Sequence, residues 1–289
     1  MQANELQDID NASHPEREEE FKMSERDFRY IARTIGERAG IVISEVKRPL
    51  VYGRLVRRLR VLGLKSFTDY CDIIADESHP ECEHFINALT TNLTSFFREP
   101  KHFEFLEQEL LPELIKNKKD KQLRVWSTAC STGEEPYSIA ISIANTVPAD
   151  WDVKILATDL DSQVLASAAR GEYSIENLGG LSKANRNNWF LSGKGENVGR
   201  CKVRPQISEL VTFRPLNLLE SWPMKKPFDI IFCRNVVIYF DKPTQKKLFD
   251  RLADQLKIGG HLFIGHSETL FKTTDRFELL GHTTYRRIK

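Results

Sequence analysis

Charge of one sign is what this chain has little of. Its 42 Lys and Arg nearly cancel 41 Asp and Glu over 289 residues, a formal net charge of +1. No global field therefore selects nucleic acid, and any electrostatic argument has to be local. Paired cysteines are missing too. Cys71, Cys82, Cys130, Cys201 and Cys233 are scattered, odd in number and without a Cys-x-x-Cys spacing. That excludes the pattern of a disulfide framework or a zinc site and points to a reducing cytoplasm. No apolar core follows basic residues near the start, so no signal peptide is expected. No apolar run approaches the length that crosses a bilayer. No strand pattern occurs before residue 120.

What is present divides the chain. Residues 1–20 are polar and acidic (Glu5, Asp8, Asp10, Glu16, Glu18, Glu19, Glu20) and predict a mobile tail. Ser24-Glu25-Arg26-Asp27 resembles a capping box, and Phe28, Ile31, Ile35 and Ala39 then repeat at helical spacing, with Gly40 as a stop. Pro49 opens a second helix whose apolar stripe is Val51, Leu55, Leu59 and Leu62, ended by Gly63. Two shorter helices over 67–74 and 83–89 complete a helical domain at 21–90. Residues 91–100 form a joint, since Pro100 disfavours helix at Glu99. A helix through Phe103, Leu106, Leu110 and Leu111 follows, with Pro112 near its end.

Beyond it, strands (123–127, 153–158, 211–214, 228–233, 260–265) alternate with helices (135–146, 162–170, 242–257). Alternation of this kind predicts an α/β domain over 101–289 with a mostly parallel sheet and right-handed crossovers. Phe228 to Cys233 is nearly all apolar, as in a strand covered on both faces. Residues 277–288 read as a closing antiparallel hairpin. One segment breaks the rhythm. Glycines and basic residues crowd 172–210, where Cys201-Lys202-Val203-Arg204 suggests a short strand after a turn at Lys194-Gly195. This predicts a small β-rich insertion with an exposed edge.

The most informative stretch runs from Leu123 to Ser138. An apolar run ends in Ser127-Thr128-Ala129-Cys130-Ser131-Thr132-Gly133, then Glu134-Glu135-Pro136, then helical spacing. Small residues let a backbone approach a ligand, and a helix N-terminus offers free N–H groups. Downstream, Ile155-Leu156-Ala157-Thr158-Asp159-Leu160-Asp161 reads as a second strand ending in an acid. There a nucleotide-type cofactor presents its ribose hydroxyls. His261 and His266 flank a predicted strand with no third ligand near, so packing or solvent exposure is expected rather than metal.

Four motifs occur in order: Thr91-Asn92-Leu93-Thr94-Ser95-Phe96-Phe97-Arg98, Ala129 to Ser138, Ala157-Thr158-Asp159-Leu160-Asp161, and Phe232-Cys233-Arg234-Asn235-Val236-Val237-Ile238-Tyr239-Phe240. Together they resemble the CheR family, the S-adenosylmethionine-dependent methyltransferases that esterify glutamates on bacterial chemoreceptors. The resemblance spans about residues 20–289. It implies a Rossmann-like methyltransferase domain with a mostly parallel sheet, preceded by a small all-α domain and carrying a small antiparallel β insertion. Ala129, Ser131 and Gly133 take positions where the general methyltransferase loop often has glycines.

The implied chemistry asks little of the protein's own acids and bases. A glutamate is ionised at neutral pH and needs no general base, and a sulfonium donor leaves as a neutral thioether. Alignment and desolvation remain, so the absence of a Ser-His-Asp or Cys-His set fits. Arg98 is the first candidate for positioning the substrate carboxylate; from the sequence alone it reads as a surface or interdomain ion pair. Tyr239 is the second, with capping of the sheet as the plain alternative. Asp159 is expected to bind the ribose hydroxyls, since Asp161 and Ser162 already offer caps for the next helix. Glu134 either meets the methionine ammonium or favours the positive end of its own helix. The resemblance adds Asn92, Thr94, Arg98, Ala129, Ser131, Leu160, Asn217, Leu218, Arg234 and Asn235 as cofactor contacts, with Asn217 and Leu218 flanking the adenine. Asn235 can instead fix a turn.

Arg54, Arg57 and Arg58 lie beside the apolar stripe of the second helix. They form either a solvated face or a basic wall for an acidic helical substrate. By the resemblance, the partners are the cytoplasmic parts of transmembrane chemoreceptors, with the insertion able to add a receptor C-terminal peptide to its sheet edge. The product is S-adenosylhomocysteine, the location cytoplasmic, and neither nucleic acid nor membrane insertion is expected. Competing readings are a nucleic-acid methyltransferase, a non-catalytic receptor-binding module and, less readily, a dinucleotide dehydrogenase.

Overall fold

Residues 20–289 are described by a computed structural model. Apart from Glu20, the acidic stretch expected as a mobile tail lies outside the described residues. Ser24 caps α1 (Glu25–Ala39) reciprocally, its hydroxyl accepting from Asp27 N while the Asp27 carboxylate accepts from Ser24 N. Gly40 ends the helix at φ 71°, and Gly63 ends α2 (Arg48–Leu62) at φ 65°, both left-handed. With α3 (Phe67–Ala75) and α4 (Glu81–Leu89), these helices bury Phe28, Ile31, Ile35, Leu55, Leu59 and Tyr70 in a core of their own.

The helical stretch after Pro100 does not stop near Pro112. It runs as α5 (Pro100–Phe105), a π turn (Leu106–Leu110) and α6 (Leu111–Asn117). Proline lacks an N–H and its ring collides with the carbonyl one turn back. The π turn widens the ladder just before it, so Pro112 falls in the first turn of a fresh α segment.

The strands in chain order are β1 (Gln122–Ser127), β2 (Asp152–Asp159), β3 (Glu172–Ser174), β4 (Phe190–Ser192), β5 (Arg200–Val203), β6 (Val211–Pro215), β7 (Phe228–Cys233), β8 (Leu256–Ile264), β9 (Phe277–Gly281) and β10 (Thr284–Arg287). Seven of them form one sheet in the order β6-β2-β1-β7-β8-β10-β9. The five from β6 to β8 run parallel, and β10 closes the far side antiparallel to both neighbours. The faces are covered by α7 (Glu134–Thr146), α8 (Ser162–Arg170) and α11 (Lys242–Gln255). Trp126, Ile230, Ile231, Phe232 and Phe263 are fully buried between the layers. β8 begins four residues before the expected strand. Its register slips opposite Asp229, where Gly259 takes φ 78° and a Cβ on Gly260 would come within 2.9 Å of Asp229 O.

The segment 172–210 forms a separate antiparallel sheet in the order β3-β5-β4. The strand legible in the sequence is the central one, so the free edges belong to β3 and β4. Helical turns, including α9 (Lys183–Trp189) and α10 (Pro205–Ser208), occupy more of the segment than strands do. Among the described residues no helix is long and apolar enough to cross a membrane.

Candidate active site

Between the helical bundle and the carboxyl ends of β1, β2 and β7 lies a cleft of about 1250 Å³, its open mouth included. The bundle lends Ala39, Leu50, Val51 and Arg54 to one wall, and the joint at 90–98 crosses the top. Phe96 anchors that joint in the small sheet, edge-on to Tyr173 and Phe190 at 4.9 and 5.5 Å.

The floor is the turn from β1 into α7. Ser131 sits at φ 48° and Gly133 at φ 98°; a Cβ on Gly133 would lie 2.8 Å from the Tyr173 hydroxyl, so glycine is required there. Ser131 N donates to Asp159 Oδ2 at 2.8 Å, and Asp161 N donates to Oδ1 at 3.0 Å. Burial pushes the Asp159 carboxyl above its ordinary range despite these donors. Asp161, not Asp159, caps α8 through Gln163 N and Val164 N, and it holds Asn92 Nδ2 at 2.8 Å. Asp159 is thereby left at the wall of the cleft, next to Leu160.

The two acids of α7 divide. Glu134 is buried away from the cleft, accepting from the Thr132 hydroxyl at 2.6 Å, and burial raises its pKa. Glu135 is the one in the wall, accepting from Ser127 Oγ at 2.7 Å and Arg234 Nη1 at 2.9 Å. Successive helical residues point about 100° apart, so the spacing in a Glu-Glu pair does not say which one faces the ligand.

Arg98 lines the cleft with Nη1 on Leu93 O at 2.8 Å and no carboxylate partner among the described residues. Its position thus differs from that of a salt-bridging surface residue. Tyr239 lines it as well, and its hydroxyl has no hydrogen-bond partner among the described residues. The Tyr239 backbone carbonyl accepts from Val42 N at 2.9 Å, joining sheet to bundle. Asn92, Thr94, Ala129, Asn217 and Leu218 are all in the wall. Asn217 Nδ2 also reaches Arg38 O at 2.8 Å.

Arg234 is buried and engaged through both terminal nitrogens, with Nη2 on Glu99 Oε2 at 3.0 Å and on the Arg98 carbonyl, while its Nε has no partner among the described residues. Asn235 has φ 57° and donates from Nδ2 to Glu99 Oε1 at 3.2 Å, so the turn-fixing reading of Asn235 describes its side chain. Burial pushes the Glu99 carboxyl upward, but the Arg234 charge together with hydrogen bonds from Arg234, Asn235 and His266 N leaves it below the ordinary range. His102 Nδ1 and His266 Nε2 face the same Glu99 oxygen at 3.6 and 3.8 Å. Three potential metal donors therefore do meet at His266, contrary to the expectation that no further ligand is near, but Arg234 already holds the shared oxygen. His261 lies apart, buried beside Phe105.

Of the three arginines expected to wall a docking groove, two are committed internally. Arg58 forks onto the buried Glu81 carboxylate at 2.8 and 2.6 Å. Arg54 donates to Leu89 O and Thr90 O, capping α4 from inside the cleft wall. Arg57 alone of the three is exposed.

Sequence reading missed Glu99, Glu135 and Glu268 in this arrangement. Glu99 and Glu135 at least adjoin residues that were singled out, whereas Glu268 carries no local signal.

A parallel sheet whose first strand turns through small residues into a helix, with a carboxylate closing the second, defines a Rossmann-like S-adenosylmethionine-dependent methyltransferase. The wall fits that cofactor: a carboxylate at Asp159, apolar surface at Leu160 and Leu218, and backbone exposed at Ala129. The sequence matches the CheR methyltransferase SAM-binding domain over residues 92–286 and the CheR methyltransferase all-alpha domain over 26–90. It is 45% identical over 253 residues to a probable chemotaxis protein methyltransferase of Rhizobium etli, covering 86% of this chain and 94% of that one. It is 46% identical to the chemotaxis protein methyltransferase of Klebsiella aerogenes, over 91% of this chain and 90% of that one. With the Escherichia coli chemotaxis protein methyltransferase the identity is 44%, over 92% of each. The chain belongs to the CheR methyltransferase family.

Proposed function

We propose that this methyltransferase esterifies glutamate side chains on the cytoplasmic part of transmembrane chemoreceptors and releases S-adenosylhomocysteine. The observation that carries the reading is one cleft in which Arg98 and Tyr239, both with free polar atoms, stand over a wall bearing Asp159. S-adenosylmethionine supplies, when bound, a methyl group on a sulfonium. A substrate carboxylate oxygen forms the new C–O bond, the C–S bond breaks with its electron pair going to sulfur, and no proton moves.

The residues therefore bind and aim. Asp159 accepts from the ribose hydroxyls. Leu160 and Leu218 pack on the adenine, with Asn217 at its edge. Asn92, Thr94, Ala129 and Ser131 supply the polar and backbone wall, and Arg234 and Asn235 shape the far side. Glu135, which lines the cleft where Glu134 does not, takes the methionine ammonium. Arg98 directs one carboxylate oxygen, and the Tyr239 hydroxyl faces the reacting centre. Arg57 offers the remaining basic contact for an acidic helix, and a free edge of the small sheet can take up a receptor peptide. The commitment of Arg54 and Arg58 to internal partners, with a net charge of +1, weighs against a nucleic-acid substrate.

Incubation with labelled donor and receptor-bearing membranes tests this. Label released by mild base and mapped to glutamates is expected; label that survives base refutes the ester.

A further inference from the structure

We propose that Glu268 is a positioning residue for methyl transfer: its carboxylate pins the turn that carries Arg234, Asn235 and Tyr239 into the cleft, without itself reaching the cleft. The inference rests on the reading of that cleft as the donor site. Glu268 is 5% exposed and absent from the cleft wall.

Three backbone N–H groups converge on its side chain. Oε2 accepts from Asn235 at 3.1 Å and from Gly265 at 2.5 Å, and Oε1 accepts from Val237 at 3.0 Å. Neither the Asn235 nor the Val237 N–H has another acceptor among the described residues. Asn235 holds φ 57°, a conformation that a non-glycine residue keeps when its surroundings over-determine it. Here the amide is gripped by Glu268 and the side chain by Glu99. Gly265 completes the fit, since a Cβ there would lie 2.5 Å from Asn235 Nδ2 and 2.9 Å from Glu268 Oε2.

Pinned in this way, the chain turns sharply after β7. Arg234, Asn235, Val236, Tyr239 and Phe240 line the cleft while Val237 is buried beneath them. A neutral amide cannot do the same work. Glutamine offers one oxygen and an NH2 group, and the NH2 would confront a backbone donor. The carboxylate also makes the stronger, charge-assisted bonds.

The test compares full-length wild type, E268Q and E268D by hydrogen exchange, S-adenosylhomocysteine calorimetry and steady-state receptor methylation. E268Q is expected to keep its circular dichroism spectrum while exchange across 234–240 rises about tenfold or more. Its kcat should fall about ten- to hundredfold with little change in receptor KM, as misplacement of reacting groups by an ångström does. E268D keeps the charge on a shorter arm and should fall between the two; it gives the same readouts if E268Q does not fold. Unchanged exchange and kcat in a folded variant overturn the proposal, as does a kcat loss that only follows the unfolded fraction. Failure of wild type to bind S-adenosylhomocysteine removes the donor-site reading instead, and exchange at 234–240 then judges the pin alone.

Discussion

Arg234 Nη1 stands 2.9 Å from Glu135 Oε2, tying the end of β7 to the first turn of α7 beneath the cleft. Its other terminal nitrogen meets Glu99 at 3.0 Å. Removing one member of a buried ion pair leaves the others uncompensated, at a cost of about 3–5 kcal/mol. Arg234→Ala should lose about that much unfolding free energy. Arg234→Lys, a single point charge without the fork, should lose less. Urea denaturation of both variants checks the order.

Arg98 differs because its guanidinium holds only a backbone carbonyl. Arg98→Ala is expected to cut receptor methylation about 100-fold, comparable to losing a geometric clamp, while donor affinity changes little. Calorimetry alongside single-turnover rates separates the two. A large affinity loss with intact turnover contradicts the role.

Asp159 should act on the donor instead. Hydrogen bonds to a charged group are worth about 1.5–3 kcal/mol, so Asp159→Ala should weaken S-adenosylhomocysteine binding about 10- to 100-fold. Because burial raises the Asp159 pKa, wild-type affinity should also decline with acidification at higher pH than an exposed aspartate would require. Binding titrations across pH measure both effects.

The arginines of α2 should separate cleanly. Arg58→Glu sets two carboxylates together at the buried Glu81 and should cost about 3–5 kcal/mol. Arg57→Glu touches only solvent and should shift stability by no more than about 0.5 kcal/mol. It should still slow receptor methylation, more so at low salt. Normal methylation by Arg57→Glu removes this residue from the docking surface.

His261 shares a pH window with His102, whose pKa burial also lowers from 6.5 to about 4. Burial lowers the His261 pKa from 6.5 to about 4, with Arg286 adding to the effect. Between those values only the unfolded chain takes up the proton, so stability falls as pH drops from 6.5 toward 4. His261→Gln should flatten that slope by up to one proton, about 1.4 kcal/mol per pH unit. Denaturation midpoints at pH 7, 6 and 5 provide the comparison.

Periodicity and caps made much of this fold legible. The Ser24 capping box, the glycine stops at Gly40 and Gly63, and the alternation after residue 120 all stand where local chemistry put them. The misses have local causes. Pro112 reads as a stop because a π turn leaves no pattern in the sequence. The expected strand starts at residue 260, four residues late, because the irregularity at Gly259 and Gly260 interrupts the apolar run of β8. At the site, nearly all the candidate residues inside the motifs line one cleft. What escaped were partners distant in the chain. Glu99, Glu135 and Glu268 act by meeting Arg234 and its neighbours across the sheet, and nothing in their own sequence surroundings announces that meeting. Arg54 and Arg58 erred the other way: charge on a helix face gave no hint that α4 lies against it.

The cleft borrows its walls from two separately cored bodies, the four-helix bundle and the sheet. A ligand that needs both walls would therefore favour the arrangement that keeps them together, by mass action. A molecule that touches both Leu50 and Asp159 would act as a clasp across the seam that Val42 N and the Tyr239 carbonyl already close.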